Sequence, residues 1–389
     1  MLGWGTRKQR AECKLIVDIR SASVGAALVV YGEAAPSYVY GTRVPIDAAA
    51  SKDAAAITPA MLAALAQVGQ KVVAEGLPRL AVSTGAPRVT EAVIAFAAPW
   101  YTALVHDISV KKEKPFILTR HAWKQLLEEK LTTVAKQPTG YSNLEHDITR
   151  VMVNGYELKD PFHKKVQEML IALYTSFVSE QTKTAVAEAV QKHFHGVPCT
   201  YKTMPLISFT TLRDMFWNVD RFTFFDVGGL VTEVGVVEGG TITHIMSVPY
   251  GSQHMLQAVQ AACSMDDATL TSAMSMLAKN ELHPSCTEAL ATARTAAEQA
   301  WVTAIRTQLD VEGITLPPRV FVQVAPSLQP IFGALFGAPQ HRKTLFGSDQ
   351  EIQVAVLTQD HVRKYIDIPK DTLIDPFMLL TALFLRTSR

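Results

Sequence analysis

Two short stretches carry the residue types that could hold a phosphate and a cation. In VDIRSASVGAALVVYG, Asp18 ends an apolar run and is followed by Arg20, Ser21 and Ser23. In FFDVGGLVTEVGVVEGG, Asp226 does the same and is followed by Gly228, Gly229 and Thr232. An Asp at the end of a buried strand can hold the water shell of a magnesium ion. A turn of small residues lets backbone N–H groups approach phosphate oxygens closely. For one such hairpin alone, the plainer reading is an Asp that starts a turn between strands. Two of the same form weigh the other way, because each reads strand, Asp, small-residue turn, apolar return strand and glycine. That is an internal duplication, spaced far too widely for a solenoid repeat.

The surrounding pattern supplies elements to position both turns. Strands are predicted at 14–19 and 25–31. Thr58-Pro59 reads as a helix start, with apolar residues at 61, 62, 65, 68, 72 and 73, and Gly76 as the C-terminal cap. Further strands are predicted at 80–83 and 92–96. From His106 the character changes. ISVKKEKPFILT is basic and extended, Thr119 caps a helix, and a polar passage covers 137–146. A strand with an Asn154-Gly155 hairpin turn follows, then a long strand at 166–178 and a helix from Ser179 to a stop at Gly196. This is an α+β insert of two strand–helix pairs. Beyond Gly251 the chain reads as helical to Leu309, then strand 320–324, helix 328–336, strand 352–357 and an apolar helix at 377–385.

Composition narrows the setting. At 389 residues the chain has room for two domains or one bilobed fold. Lys plus Arg is 37 against 36 acids, so no overall field draws it to nucleic acid or acidic lipid. It is 48% hydrophobic, yet no run reaches the ~20 apolar residues of a spanning helix, and MLGWGTRKQRAECK lacks the apolar core of a secretory signal. Four scattered cysteines without a CxxC pair suit a reducing cytoplasm. Weaker candidates have plain explanations. His193 and His195 close a helix on different faces, Lys111, Lys112 and Lys114 form a solvated strand edge, and Trp4 with Arg7, Lys8 and Arg10 belongs to a tail. No Gly-X-Ser-X-Gly, His-Glu-X-X-His or Walker A pattern is present.

VDIRSASVGAALV resembles the first phosphate loop of the actin-like ATPase superfamily, and FFDVGGLVTEVGVVEGG resembles its second, in the group of the cell-division protein FtsA and the pilus-assembly protein PilM. VNGYELKDP resembles the turn before the main strand of that group's inserted subdomain. MSVPYGSQHMLQAV resembles the segment after the second loop, and DPFMLLTALFLR the last helix. The resemblance implies an α/β, RNase H-like duplicated, two-lobed actin-like fold with an inserted α+β (SHS2-like) subdomain. Subdomain 1A would span 1–105, resuming at about 205–224 and 360–389. The inserted subdomain 1C would span 106–204, and the second lobe (2A/2B) 225–359.

The resemblance also implies ATP with Mg2+ as the cofactor. Asp18 and Asp226 would face the metal. Arg20, Ser21, Ser23, Gly228, Gly229, Thr232, Gly251, Ser252 and Ala325 would line the nucleotide. Several positions depart from the family pattern. Arg20 stands for a glycine, Ser23 for a Lys or polar residue, and Leu230 and Val231 replace groups that would meet phosphate. Ala325-Pro326 replaces a Gly-Gly, and proline has no backbone donor. ATP turnover is therefore expected to be weak or lost, and no catalytic residue is assigned. The expected role is a cytoplasmic adaptor at the inner face of the membrane, reaching the membrane only through a partner. The FtsA resemblance implies binding a tubulin-like division protein, with self-association through the insert. The alternative PilM resemblance, favoured by a sequence that stops at Arg389 shortly after Leu385, implies binding a peptide of an inner-membrane pilus protein.

Overall fold

The computed structural model describes residues 11–47, 54–84, 88–134, 137–158, 160–263, 266–278, 281, 284–347, 351–369 and 375–387. The readings at Trp4, Arg7, Lys8 and Arg10 lie outside them. The chain divides into two compact units, one of residues 1–96, 184–207 and 357–389, the other of 97–183 and 208–356.

Strand β1 (Glu12–Ile19) pairs antiparallel with β2 (Ser23–Tyr31), which pairs with β3 (Ser37–Pro45). Helix α1 (Ala54–Lys71) does not stop at Gly76. It runs through a π turn, Val72–Gly76, into α2 (Leu77–Thr84), so the strand expected at 80–83 is helical. A glycine cap needs a left-handed backbone, and Gly76 does not adopt one. Gly76 is there for packing instead, since a Cβ would sit 2.8 Å from the Tyr40 ring. Only Leu80 of LPRLAVS is buried, which suits a helix with one inward face. The stretch Ala56–Ser83 has the length and a mean hydropathy, 1.2, that a membrane span would need. Here its Met61, Leu65, Val68, Val72 and Leu80 are buried in the protein. Strand β4 (Val89–Phe96) runs parallel to β1.

The insert begins with β5 (Tyr101–Ile117) and α3 (Arg120–Val134), whose Ala122 N–H donates to the Thr119 hydroxyl at 3.1 Å, as a cap should. Next come β6 (Tyr141–Val153), β7 (Tyr156–Glu157), β8 (Lys165–Ser179) and α4 (Glu180–Gln191). Its antiparallel sheet has the order β5-β8-β6-β7. Most of the polar passage expected at 137–146 is the first half of β6. Its polar side chains are absorbed by pairing with β8, where the buried Glu145 accepts the Ser176 hydroxyl at 3.2 Å. Strand β9 (Cys199–Thr203) then pairs with β4, completing the first sheet in the order β3-β2-β1-β4-β9.

After α5 (Met204–Met215) the same pattern recurs. Strands β10 (Phe222–Val227), β11 (Thr232–Glu238) and β12 (Thr241–Val248) are an antiparallel meander. Helices α6 (Ser252–Cys263), α7 (Asp267–Ala278) and α8 (Pro284–Glu312) follow, then β13 (Arg319–Gln323), parallel to β10. Helices α9 (Gln329–Gly337) and α10 (Pro339–Phe346) precede β14 (Gln353–Val356), giving the order β12-β11-β10-β13-β14. Position for position this is the first sheet again. Its core is aromatic: Trp301 packs edge-on to Phe332 with ring centroids 5.5 Å apart, and Phe336 lies 5.1 Å from Phe225. The chain closes with the short α11 (Gln359–Val362) and with α12 (Pro376–Thr387), which is buried from Pro376 to Leu385.

Candidate functional site

Asp18 lies one residue before the end of β1, fully buried. The turn beyond it is closed by the Arg20 N–H donating to the Ser23 carbonyl at 2.9 Å. Asp18 Oδ2 accepts two guanidiniums, Arg20 Nε at 3.1 Å and Arg43 Nη2 at 2.5 Å. Arg43 donates its Nε to Asp375 Oδ2 at 2.5 Å and its Nη1 to Ser23 Oγ at 2.9 Å. Asp375 Oδ1 in turn accepts the backbone N–H of Phe377 at 3.0 Å, which makes Asp375 the N-cap of α12. The Arg20 guanidinium lies 3.4 Å from the centroid of the Phe377 ring. Burial works against the charge on Arg43, but Asp375 and Asp18 outweigh it and hold its pKa above the ordinary value. Two carboxylates and two guanidiniums thus form a neutral buried set. Ser21 is buried beside it, and Asp18 Oδ1 is the one oxygen of its carboxylate that accepts no hydrogen bond.

Asp226 holds the matching place at the end of β10, buried, opposite Glu233 on β11 and Gln323 on β13. The Gly228 N–H closes the turn on the Val231 carbonyl at 2.9 Å. The start of α6 is docked directly onto this turn. Its Ser252 N–H donates to the Gly228 carbonyl at 2.9 Å and its Gln253 N–H to the Gly229 carbonyl at 2.8 Å. The Ser252 hydroxyl also donates to Gly228 O, at 3.1 Å, and the Gly251 N–H donates to His254 Nδ1 at 3.1 Å. A helix N-terminus attracts anions because its first N–H groups have no partner within the helix. Here three consecutive N–H groups at that end are bound within the protein. Burial lowers the pKa of His254, which favours the neutral imidazole that this contact needs.

The Thr232 hydroxyl donates to the Tyr250 carbonyl at 2.7 Å and accepts the Trp301 indole N–H at 3.1 Å. Glu233 accepts the Tyr101 hydroxyl and, at 3.2 Å, the Ala98 N–H, anchoring the entry to the insert. Burial, then the Glu233 charge, push the Tyr101 pKa well above its ordinary value. Beyond β13, Ala325 accepts the Leu328 N–H at 2.9 Å and opens a 3-10 turn, Pro326–Leu328, leading into α9.

The structure therefore gathers Asp18, Arg20, Ser21 and Ser23 at one turn. Asp226, Gly228, Gly229, Thr232, Gly251 and Ser252 gather at the other, and Ala325 follows the strand beside it. Sequence reasoning missed Arg43, Asp375 and His254. Arg43 left a signal, since a charged residue inside the apolar strand SYVYGTRVP needs a buried counter-ion. Asp375 also left one, as an Asp-Pro preceding an apolar helix.

No protein-family model matches this chain, and no curated protein matches it by sequence. Solved structures do match. The structure described as the PilM-PilN type IV pilus biogenesis complex aligns with TM-score 0.62 and 13% identity, over 97% of this chain and 98% of that one. The ethanolamine utilization protein EutJ from Carboxydothermus hydrogenoformans aligns with TM-score 0.44 and 14% identity, over 97% and 92%. At such identities the likeness is one of fold, and the chain has the actin-like ATPase fold in its PilM form.

Proposed function

We propose that this chain is a PilM-like adaptor at the cytoplasmic face of a membrane, which works by holding a segment of a membrane-anchored partner and turns over no nucleotide. One observation carries the loss of nucleotide chemistry. The N–H groups of Gly251, Ser252 and Gln253 and the hydroxyls of Thr232 and Ser252, which would meet phosphate, are bound within the protein. Asp18 points the same way, since two guanidiniums oppose the approach of a divalent cation. These turns do not fit Mg-ATP. The adaptor role draws on the fold of the PilM-PilN complex, in which a chain of this shape is assembled with a second protein. A division role beside a tubulin-like protein remains the second reading, supported by the Asn154-Gly155 turn, whose backbone is left-handed at both residues.

Calorimetry with Mg-ATP, paired with a phosphate-release assay, tests this reading on purified protein. No binding heat at millimolar nucleotide and background hydrolysis are expected. Micromolar affinity that disappears in Asp226→Ala would overturn it.

A further inference from the structure

The helical stretch from α1 to α2, within residues 1–96, has the hydropathy of a core or membrane helix, yet only 33% of its apolar window is buried. Its inward side is Val68, Val72, Gly76 and Leu80, every fourth residue. In a regular α-helix of 3.6 residues per turn, that spacing drifts round the axis. The wider π turn at Val72–Gly76 takes up the drift and keeps these residues on β2 and β3. The same correction keeps an outward face straight. There Ala74, Pro78, Ala81 and Val82 are exposed, Val82 by 90%, beside Val73 at 39% and the half-buried Leu77. A solvent-facing helix surface is ordinarily polar or charged, and an apolar patch of this kind is what an interaction would cover.

The charges along its border indicate by what. Glu75 and Arg79 stand at the spacing of a favourable helical ion pair, but they do not pair with each other. Glu75 accepts the Tyr40 hydroxyl at 3.1 Å, and the Arg79 guanidinium lies 5.4 Å from the centroid of the same buried ring. Tyr40 so holds an exposed carboxylate and an exposed guanidinium, and neither belongs to an ion pair among the described residues. A border with one charge of each sign complements itself when turned end for end. A lipid surface would instead favour basic residues alone, and here Glu75 stands between Lys71 and Arg79.

We infer that this face pairs with the same face of a second copy, helix antiparallel to helix, about a two-fold axis at Leu77. Leu77 then meets Leu77 of the second copy, Val73 meets Ala81, and Glu75 meets Arg79 twice, the reciprocal contacts of an isologous dimer. A two-fold axis at Glu75 would set Lys71 against Arg79, like against like. One at Val73 would leave Ala81 and Val82 uncovered. The patch falls well short of the roughly 20–30 residues a side of a standard interface, so the dimer is a weak one, dissociating at about 10–100 μM. Self-association through the insert, which the FtsA resemblance implies, would use a different surface. The pairing does not depend on the adaptor reading. Under that reading a dimer holds two partner segments at once, which raises avidity without new contacts.

Sedimentation velocity of the full chain tests it, and wild type should pass from monomer to dimer between about 2 and 200 μM. Ala74→Glu, an exposed change to a good helix former, should weaken association about tenfold or more. Glu75→Arg and Arg79→Glu should each stay monomeric, because each sets like charges face to face twice. Mixed in equal amounts, these two variants should dimerise again, since every facing pair is then of opposite sign. Circular dichroism checks that each variant is folded, and Ala74→Glu leaves the Tyr40 contacts intact should Glu75→Arg not fold. Wild type that stays monomeric at about 200 μM would overturn the inference. So would a dimer that Ala74→Glu leaves unchanged, or a mixture of the two folded charge variants that stays monomeric. Monomeric protein that floats with vesicles of phosphatidylglycerol and phosphatidylcholine, and is released by Ala74→Glu, would make lipid the occupant and overturn it too.

Discussion

Arg43 reaches Asp18 across an intervening strand, Nη2 to Oδ2 at 2.5 Å, and it can do so because the residue between them is Gly25. The register sets Asp18 opposite Gly25 and Gly25 opposite Arg43, and a Cβ on Gly25 would lie 2.8 Å from Arg43 Nη2. This glycine makes room for a guanidinium within the protein. Arg43→Met should leave Asp375 without its counter-ion and Asp18 with Arg20 alone, and cost about 3–5 kcal/mol, the usual effect of removing one partner of a buried pair. Gly25→Ala should cost less, about 1–3 kcal/mol, because the crowded atom is the end of a flexible side chain. Urea denaturation of both variants would show it. Equal stability of Arg43→Met and wild type would mean that the bridge contributes nothing.

Gly251 is crowded by backbone instead. A Cβ there would lie 2.4 Å from the Gly229 carbonyl oxygen, and neither partner has a side chain that could move away. Gly251→Ala should undock the start of α6 and cost about 3 kcal/mol or more, the upper end of overpacking effects. Gly333→Ala is the control. It is exposed in α9, where the nearest atom to a new Cβ is 3.9 Å away, so helix propensity should make it neutral or stabilising by about 1 kcal/mol.

The His254 contact predicts a pH dependence. Its folded pKa lies below the ordinary 6.5 because burial disfavours the charged ring. Between the two pKa values the unfolded chain binds more protons, so stability rises with pH. The contribution is full above about pH 6.5 and is lost as pH falls through the folded value. Burial lowers the pKa of His106 and His146 in the same direction. Urea midpoints should therefore drop between about pH 7.5 and pH 5.5, and drop less in His254→Gln. An unchanged drop in that variant would remove His254 from the account.

Most of the fold was legible because both sheets are built from apolar strands bounded by Asp, Gly and hairpin turns, and because the Asp-turn-strand unit occurs twice. The helical stretch at 80–83 was misread because Gly76 looks like a stop when only its type is known. Its role is set by Tyr40, which is far away in sequence. The site was legible in position and not in state. Asp18 and Asp226 could be located from the pattern alone, whereas Arg43, which binds Asp18, comes from β3, and its second partner, Asp375, is the residue before α12. Long-range partners such as Arg43 and Asp375 leave only a weak local signal, a charge where apolar residues are expected.

Asn154 combines a backbone and a side-chain role that mutation can separate. It adopts φ +50° and Gly155 φ +85°, the left-handed pair of a tight hairpin between β6 and β7. Its Oδ1 accepts the N–H groups of Gln167 and Glu168 at 3.0 and 3.1 Å, and its Nδ2 donates to the Lys165 carbonyl at 3.0 Å, tying the turn to β8. Asn154→Gly keeps the backbone easy and removes only these bonds. Because the groups are exposed, water replaces much of what is lost, and about 0.5–1 kcal/mol is expected. Asn154→Ala also forces a Cβ into the left-handed region, which adds about 1 kcal/mol. Urea denaturation should therefore rank wild type above Gly and Gly above Ala. An Ala variant as stable as the Gly variant would show that the strand ends, and not the left-handed turn, set this register.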